Sequence, residues 1–172
     1  VLGLQRHTVA VVDHDPAWAG QATGACLAIE AEAGSPLVEI EHVGSTSVPD
    51  LPAKPILDLA AAVTTFDTIS GLVPRLAPLG YLYRGNRPET GGHLFILESR
   101  PDVRTIHLHV VLQGSRQWRD YLAFREALRG RDDLRCQYAA FKRRLAALYP
   151  SDTAAYTAAK AEFIQGVLKG EL

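Results

Sequence analysis

Two cysteines in 172 residues are too few to staple this chain. Cys26 and Cys136 both fall in predicted helices, and they read as buried thiols rather than as a disulfide or a metal pair. Charge of one sign is lacking as well: 18 Lys and Arg stand against 19 Asp and Glu, a formal net charge of −1. That balance gives no overall electrostatic drive toward nucleic acid or an anionic membrane. No apolar run approaches the roughly 20 residues of a membrane span. The first residues lack the basic-then-apolar layout of a signal peptide, so a cytoplasmic protein is expected. There is no internal repeat, no low-complexity segment and no linker long enough to divide the chain. What is present is 47% hydrophobic and 22% charged residues, a globular composition. The length suits a single domain over 1–172 with one sizeable core.

Residues 8–12 form a short β-like run. Asp15-Pro16 reads as a helix start, with Asp15 as cap and Pro16 at the first helical position, and the helix runs to about Glu32. Leu37 to Val43 and Pro55 to Val63 are predicted strands, the second apolar enough on both faces to be central. Phe66 to Leu79 repeats at helical spacing up to Gly80, with Pro74 implying a kink. A strand begins at Tyr81, and residues 84–92 read as a loop. His93–Glu98 and Arg104–Leu112 look like an antiparallel pair. Three helices follow: one through Trp118 to Leu128, one through Leu134 to Leu148, and one capped by Ser151 or Asp152. The fold class expected is α/β (α+β): a mixed β-sheet with helical cover and C-terminal helices.

The stretch Glu41-His42-Val43-Gly44-Ser45-Thr46-Ser47 through Lys54-Pro55-Ile56-Leu57-Asp58 carries the densest chemistry. A glycine followed by hydroxyl residues can bring backbone close to a phosphate and cradle it. An acid on the next strand could hold the divalent cation that accompanies that phosphate. Asp58 shares its strand face with the small Ala60 and Ala62, which would leave room for a ligand. A carboxylate in a central apolar strand costs several kcal/mol unless paired or cation-bound. The structural alternative is an acid bonded to backbone or to a base.

His107 and His109 alternate on one strand face, roughly 7 Å apart at their Cα atoms. Together they could bind a metal or contact an anionic substrate; otherwise they are two half-exposed histidines on a polar face. On neighbouring strands they would converge with Asp58. His42 could orient the turn, point into the site or sit satisfied in the core, while Glu41 on the other side of the strand reads as a solvated edge acid. Lys54 at a strand mouth and Lys160 within an inward helix stripe suit an anion or, alternatively, the surface. Lys142, Arg143 and Arg144 form a basic cluster, of which the two arginines read as a solvated face.

These residues resemble the GrpB family. The likeness lies in Glu41-His42-Val43-Gly44-Ser45-Thr46 with Val48-Pro49, in Ala53-Lys54-Pro55-Ile56-Leu57-Asp58, and in His107-Leu108-His109-Val110-Val111. It continues through Phe124-Arg125, Leu128-Arg129, Tyr138 with Lys142-Arg143, and Tyr156 with Lys160 and Phe163-Ile164. The resemblance implies a nucleotidyltransferase-like fold. It also implies that Gly44-Ser45 matches the Gly-Ser turn that holds nucleotide phosphates; with His42, Thr46, Lys54, Lys142 and Lys160, read from the residues themselves, it would hold a small, anionic, phosphate- or carboxylate-bearing substrate. Asp58, His107 and His109 would be the catalytic groups and the ligands of a divalent metal, magnesium or zinc. Asp58 would match the first acid of a metal-binding Asp-x-Asp pair, and Ala60 stands at the second position. Asp50 stands where the family commonly has glycine. The function implied is a nucleotidyltransferase-like enzyme. The alternatives are a non-catalytic nucleotide- or metabolite-binding module and a fold reused for different chemistry.

Overall fold

The computed structural model describes residues 1–87 and 91–172. Six strands form one mixed sheet: β1 (Leu4–Gln5), β2 (Leu37–Val43), β3 (Leu57–Val63), β4 (Leu82–Arg87), β5 (Gly92–Arg100) and β6 (Val103–Leu112). Their order is β2-β3-β6-β5-β4, and β1 pairs with the start of β6. β3 and β6 run parallel, and the other neighbours are antiparallel. Helices α1 (Ala17–Ala33) and α2 (Ile69–Leu76) cover one face, while α3 (Arg116–Gly130), α4 (Asp132–Leu148) and α5 (Thr153–Leu168) gather on the other.

β3 is central because both its faces are apolar. Leu57, Leu59, Ala61 and Val63 pack with Ile106, Leu108 and Val110 against Trp18, Ile29, Leu72 and Leu76 of α1 and α2. The opposite face is built of smaller side chains. Ala60 and Ala62 meet Val43, Val111 and Trp118 of α3. The main core therefore forms beneath α1 and α2, and the lighter face leaves depth for polar groups toward the β3 N-terminal end. A third cluster joins Val48 and Leu51 to Phe124, Leu128, Leu134, Tyr138 and Val167, locking the chain after β2 onto the C-terminal helices.

Several sequence expectations need correction. Residues 8–12 do not form a strand. Val12 makes an isolated bridge to Ala53, and Val9 is buried against Leu145 and Tyr156. The β signal there reports burial without a ladder. The strand that does form nearby is the two-residue β1. β4 continues to Arg87 where a loop was expected from residue 84; residues 88–90, also within that expected loop, lie outside the described residues. The helix expected over Phe66 to Leu79 is divided: 3-10 turns at Phe66–Thr68 and Ala77–Leu79 flank α2, which contains Pro74. Gly80, at φ 87°, ends it as expected. α1 begins at Ala17 with Pro16 at the cap position, one residue later than expected, and Asp15 accepts from the Ala17 N–H at 2.9 Å. Both cysteines are free, but Cys136 is exposed on α4 rather than buried. Its helix buries Leu134, Tyr138, Lys142 and Leu145, and Cys136 is off that stripe. No helix among the described residues is long and apolar enough to cross a membrane.

Candidate functional site

The parallel register of β3 and β6 sets Asp58 opposite His107 and Ala60 opposite His109. Alternation turns Asp58, His107 and His109 to the face beneath the C-terminal helices. Asp58 Oδ1 stands 3.4 Å from His107 Nδ1 and 3.6 Å from His109 Nε2. These distances are long for a hydrogen bond, which closes at roughly 2.7–3.2 Å. They match the edge of a tetrahedron whose centre lies about 2.1 Å from each ligand atom, an edge of about 3.4 Å. One ligand atom from each of the three residues lies within 4.8 Å of the others. Two imidazoles and one carboxylate suit zinc or another transition ion. Magnesium prefers an octahedron of oxygens.

Burial works to raise the Asp58 carboxyl, but the His107 and His109 rings outweigh it and hold the group well below the usual carboxylate range. Burial lowers the His107 ring against the pull of Asp58. The pair is thus biased toward a carboxylate beside a neutral imidazole, the forms a cation would require. Ala60, beside His109, is fully buried in packing with Trp118, so no second acid stands there.

The turn after β2 closes this corner. Gly44 has φ 69°, and a Cβ built on it would stand 2.6 Å from Asp58 Oδ2. Only glycine permits both the backbone and the contact. Ser47 Oγ donates to Gly44 O at 2.6 Å, and His42 Nε2 meets Thr46 Oγ1 at 2.9 Å. With those two hydroxyls committed inside the turn, Ser45, beside the Tyr138 phenol, is the one not used within it. Two arginines one helical turn apart on α3 brace the segment from behind. Arg129 Nε and Nη2 donate to Ser47 O at 3.1 and 2.7 Å. Arg125 Nη1 donates to Glu41 Oε2 at 2.7 Å and to His42 O at 2.9 Å. Glu41 is therefore a paired acid, not the solvated one expected.

A cavity of about 440 Å³ opens between this face and the helices, within the ordinary range for small-molecule sites. Of the residues singled out in the sequence, Gly44, Ser45, Thr46, Lys54, Asp58, His107, His109, Lys142 and Lys160 line it. His42 is not among the lining residues; it lies beside Leu59 in the register, on the other sheet face, and acts through Thr46. Lys142 is 2% exposed; its ammonium donates to Pro52 O and lies 4.7 Å from the Tyr138 ring centre. Burial, helped by Lys160, pushes it well below the usual lysine range. Lys160 lies 4.7 Å over the Tyr156 ring, and burial with the nearby Lys54 lowers it to about 8. Lys54 is itself lowered by burial. The helices also bring Gln117, Asp120, Tyr121 and Tyr156 to the wall. Gln117, Asp120 and Tyr121 of α3 were not singled out in the sequence, and Tyr156 of α5 was noted there only beside Lys160.

The fold and the site define a mixed α/β protein with a carboxylate–histidine cluster at one side of a lysine-lined pocket. The chain belongs to the GrpB family, whose model, described as GrpB protein, matches residues 8–170. It is 37% identical over 165 residues to a UPF0157 protein of Pseudomonas aeruginosa, covering 93% of this chain and 66% of that one. It is 33% identical to a UPF0157 protein of Halalkalibacterium halodurans, covering 94% and 82%. Among solved structures, the conserved protein GrpB from Enterococcus faecalis superposes with a TM-score of 0.84 at 30% identity, covering 94% of this chain and 96% of that one.

Proposed function

We propose that this chain is a metal-assisted, nucleotidyltransferase-like enzyme acting on a small substrate that carries a phosphate or carboxylate. The observation that carries the reading is one cavity holding both the Asp58–His107–His109 cluster and the ammonium groups of Lys54 and Lys160. A transition ion on the cluster would supply Lewis acidity at a substrate oxygen. Lys54 and Lys160 would hold the anion, which would relieve their mutual repulsion and the burial that lowers both. Gly44 keeps the turn close enough for Ser45 to reach the same group. Lys142, held by Pro52 O, positions the Pro52–Lys54 segment rather than the substrate.

Ala60 supports a second reading, a non-catalytic module that binds a nucleotide or metabolite, because two-metal transfer would lack a ligand there. A thermal-shift screen of zinc, manganese and magnesium, alone and with phosphate, ATP, GTP or CTP, tests both, since a ligand of the folded state raises its stability by mass action. Stabilisation by metal plus nucleotide, followed by release of pyrophosphate on incubation with an acceptor, supports the enzyme. Stabilisation without turnover supports the binding module. No shift with any combination contradicts the metal-assisted enzyme and nucleotide binding, and favours a module for another metabolite.

A further inference from the structure

A second cavity, about 790 Å³, lies on the far side of the wall formed by Lys54, Ile56, His107 and Thr157. Those four residues line both cavities, so the two spaces are adjoining compartments. The second is bounded by Arg6 of the chain after β1, by Arg104 of β6 and by the first turn of α5. Its walls carry two buried polar atoms that have no hydrogen-bond partner among the described residues, Arg104 Nε and His107 Nε2. Buried polar atoms are almost always satisfied in native proteins, so these two call for a partner that the chain does not supply. Both can donate, and donors of this kind suit an anionic oxygen.

The charge around the compartment agrees. Arg6, Lys54 and Arg104 all reach it, and Arg104 has Arg6 and Arg84 near enough to repel it. Glu98 pulls Arg104 the other way, less strongly than Arg6 or Arg84 repels it. Asp102 pairs loosely with Arg6, at 3.8 Å and with both side chains about half exposed. Glu98, opposite Arg104 in the β5–β6 register, also meets Arg84 at 3.8 Å and the Asp102 N–H at 3.2 Å. Asp152 caps α5 by accepting from the Ala155 N–H at 2.9 Å and is not a lining residue.

We infer that the second compartment is an anion subsite, and that the substrate of the proposed site is an elongated molecule with an anionic group at each end. One end lies beside Lys160; the other lies against Arg104 and Arg6, and the molecule passes Lys54 and His107 between them. The inference rests on the proposed function for its first compartment, and the second adds the substrate's shape.

Calorimetric titration with alkane bisphosphates of four, six and eight carbons, against alkyl monophosphates of the same lengths, tests it. At least one bisphosphate is expected to bind about tenfold or more tighter than its monophosphate partner, as a second charge-assisted contact should provide. Arg104→Gln and, separately, the exposed Arg6→Gln are expected to remove most of that advantage. Lys160→Gln is expected to weaken both ligands. Equal affinity for mono- and bisphosphates at every length, or an advantage that survives both arginine variants, overturns the second subsite. Zinc titration of the same samples separates the two ideas: zinc uptake with no bisphosphate preference leaves the first compartment's reading standing, whereas a preference without zinc uptake removes only the metal.

Discussion

Gly44 lies directly against the Asp58 carboxylate, so close that a Cβ on Gly44 would stand 2.6 Å from Asp58 Oδ2. The turn and the acid are thus one unit built from consecutive strands of the sheet, and a side chain at Gly44 must displace Asp58. Gly44→Ala is expected to cost about 2 kcal/mol or more, from a side chain forced to positive φ and from displacement of Asp58. Urea denaturation measures it. A loss under about 0.5 kcal/mol, within the range of ordinary surface changes, would show that the contact relaxes freely.

Asp58→Asn is expected to remain folded but to lose stability near neutral pH, because the folded state favours the Asp58 carboxylate beside the His107 and His109 rings, 3.4 and 3.6 Å away. It is expected to lose the rise in melting temperature that zinc gives the parent protein. A large destabilisation with the zinc response intact would make Asp58 architectural.

His42 gives a pH signature. Burial lowers its ring from 6.5 to about 4, outweighing the pull of Asp58. A base depressed in the folded state favours folding while neutral, so its contribution is present above pH 6.5 and is lost as pH falls through 4. The parent protein is expected to lose on the order of 2 kcal/mol across that window. His42→Gln, which can still meet Thr46, should flatten the loss. Asp58 acts in the same direction in the more acid range, since its carboxylate is favoured in the folded state. Equal slopes for parent and His42→Gln in pH-dependent urea melts would show that His42 does not titrate with folding.

Lys160 gives the opposite edge. Its ammonium, lowered to about 8, loses its proton in mildly alkaline solution. Phosphate affinity is expected to fall above pH 8 as that charge disappears, and Lys160→Gln should both weaken phosphate binding and remove the step. Calorimetry at pH 7 and 9 reads both. A pH-independent affinity in the parent would place the anion elsewhere.

The convergence of Asp58, His107 and His109 was legible in the chain because strand alternation fixes which side chains share a face. The parallel register that sets Asp58 beside His107 was not, since it depends on β3 and β6 meeting across two intervening strands and a helix. Asp50 illustrates a partial reading. Its φ of 61° agrees with a position that favours glycine, but the exposed turn that imposes it is visible only in three dimensions. Arg125 and Arg129 stood in plain view at helical spacing, yet their targets are the Glu41 carboxylate, the His42 carbonyl of β2 and the Ser47 carbonyl of the turn after it. No local pattern announces a backbone acceptor some 80 residues away. The expected strand over residues 8–12 failed for a related reason. Apolar residues there are buried by α4 and α5 partners, not by a sheet.

The measurement that bears most directly on the site is metal stoichiometry. Protein stripped with a chelator would be titrated with zinc by calorimetry, and the metal retained after gel filtration counted by mass spectrometry. One zinc per chain is expected for the parent, with loss of the bound ion in His107→Ala and His109→Ala variants that still melt cooperatively. No zinc bound by the parent, or one zinc per chain still bound when both histidines are replaced, would contradict the metal-assisted reading.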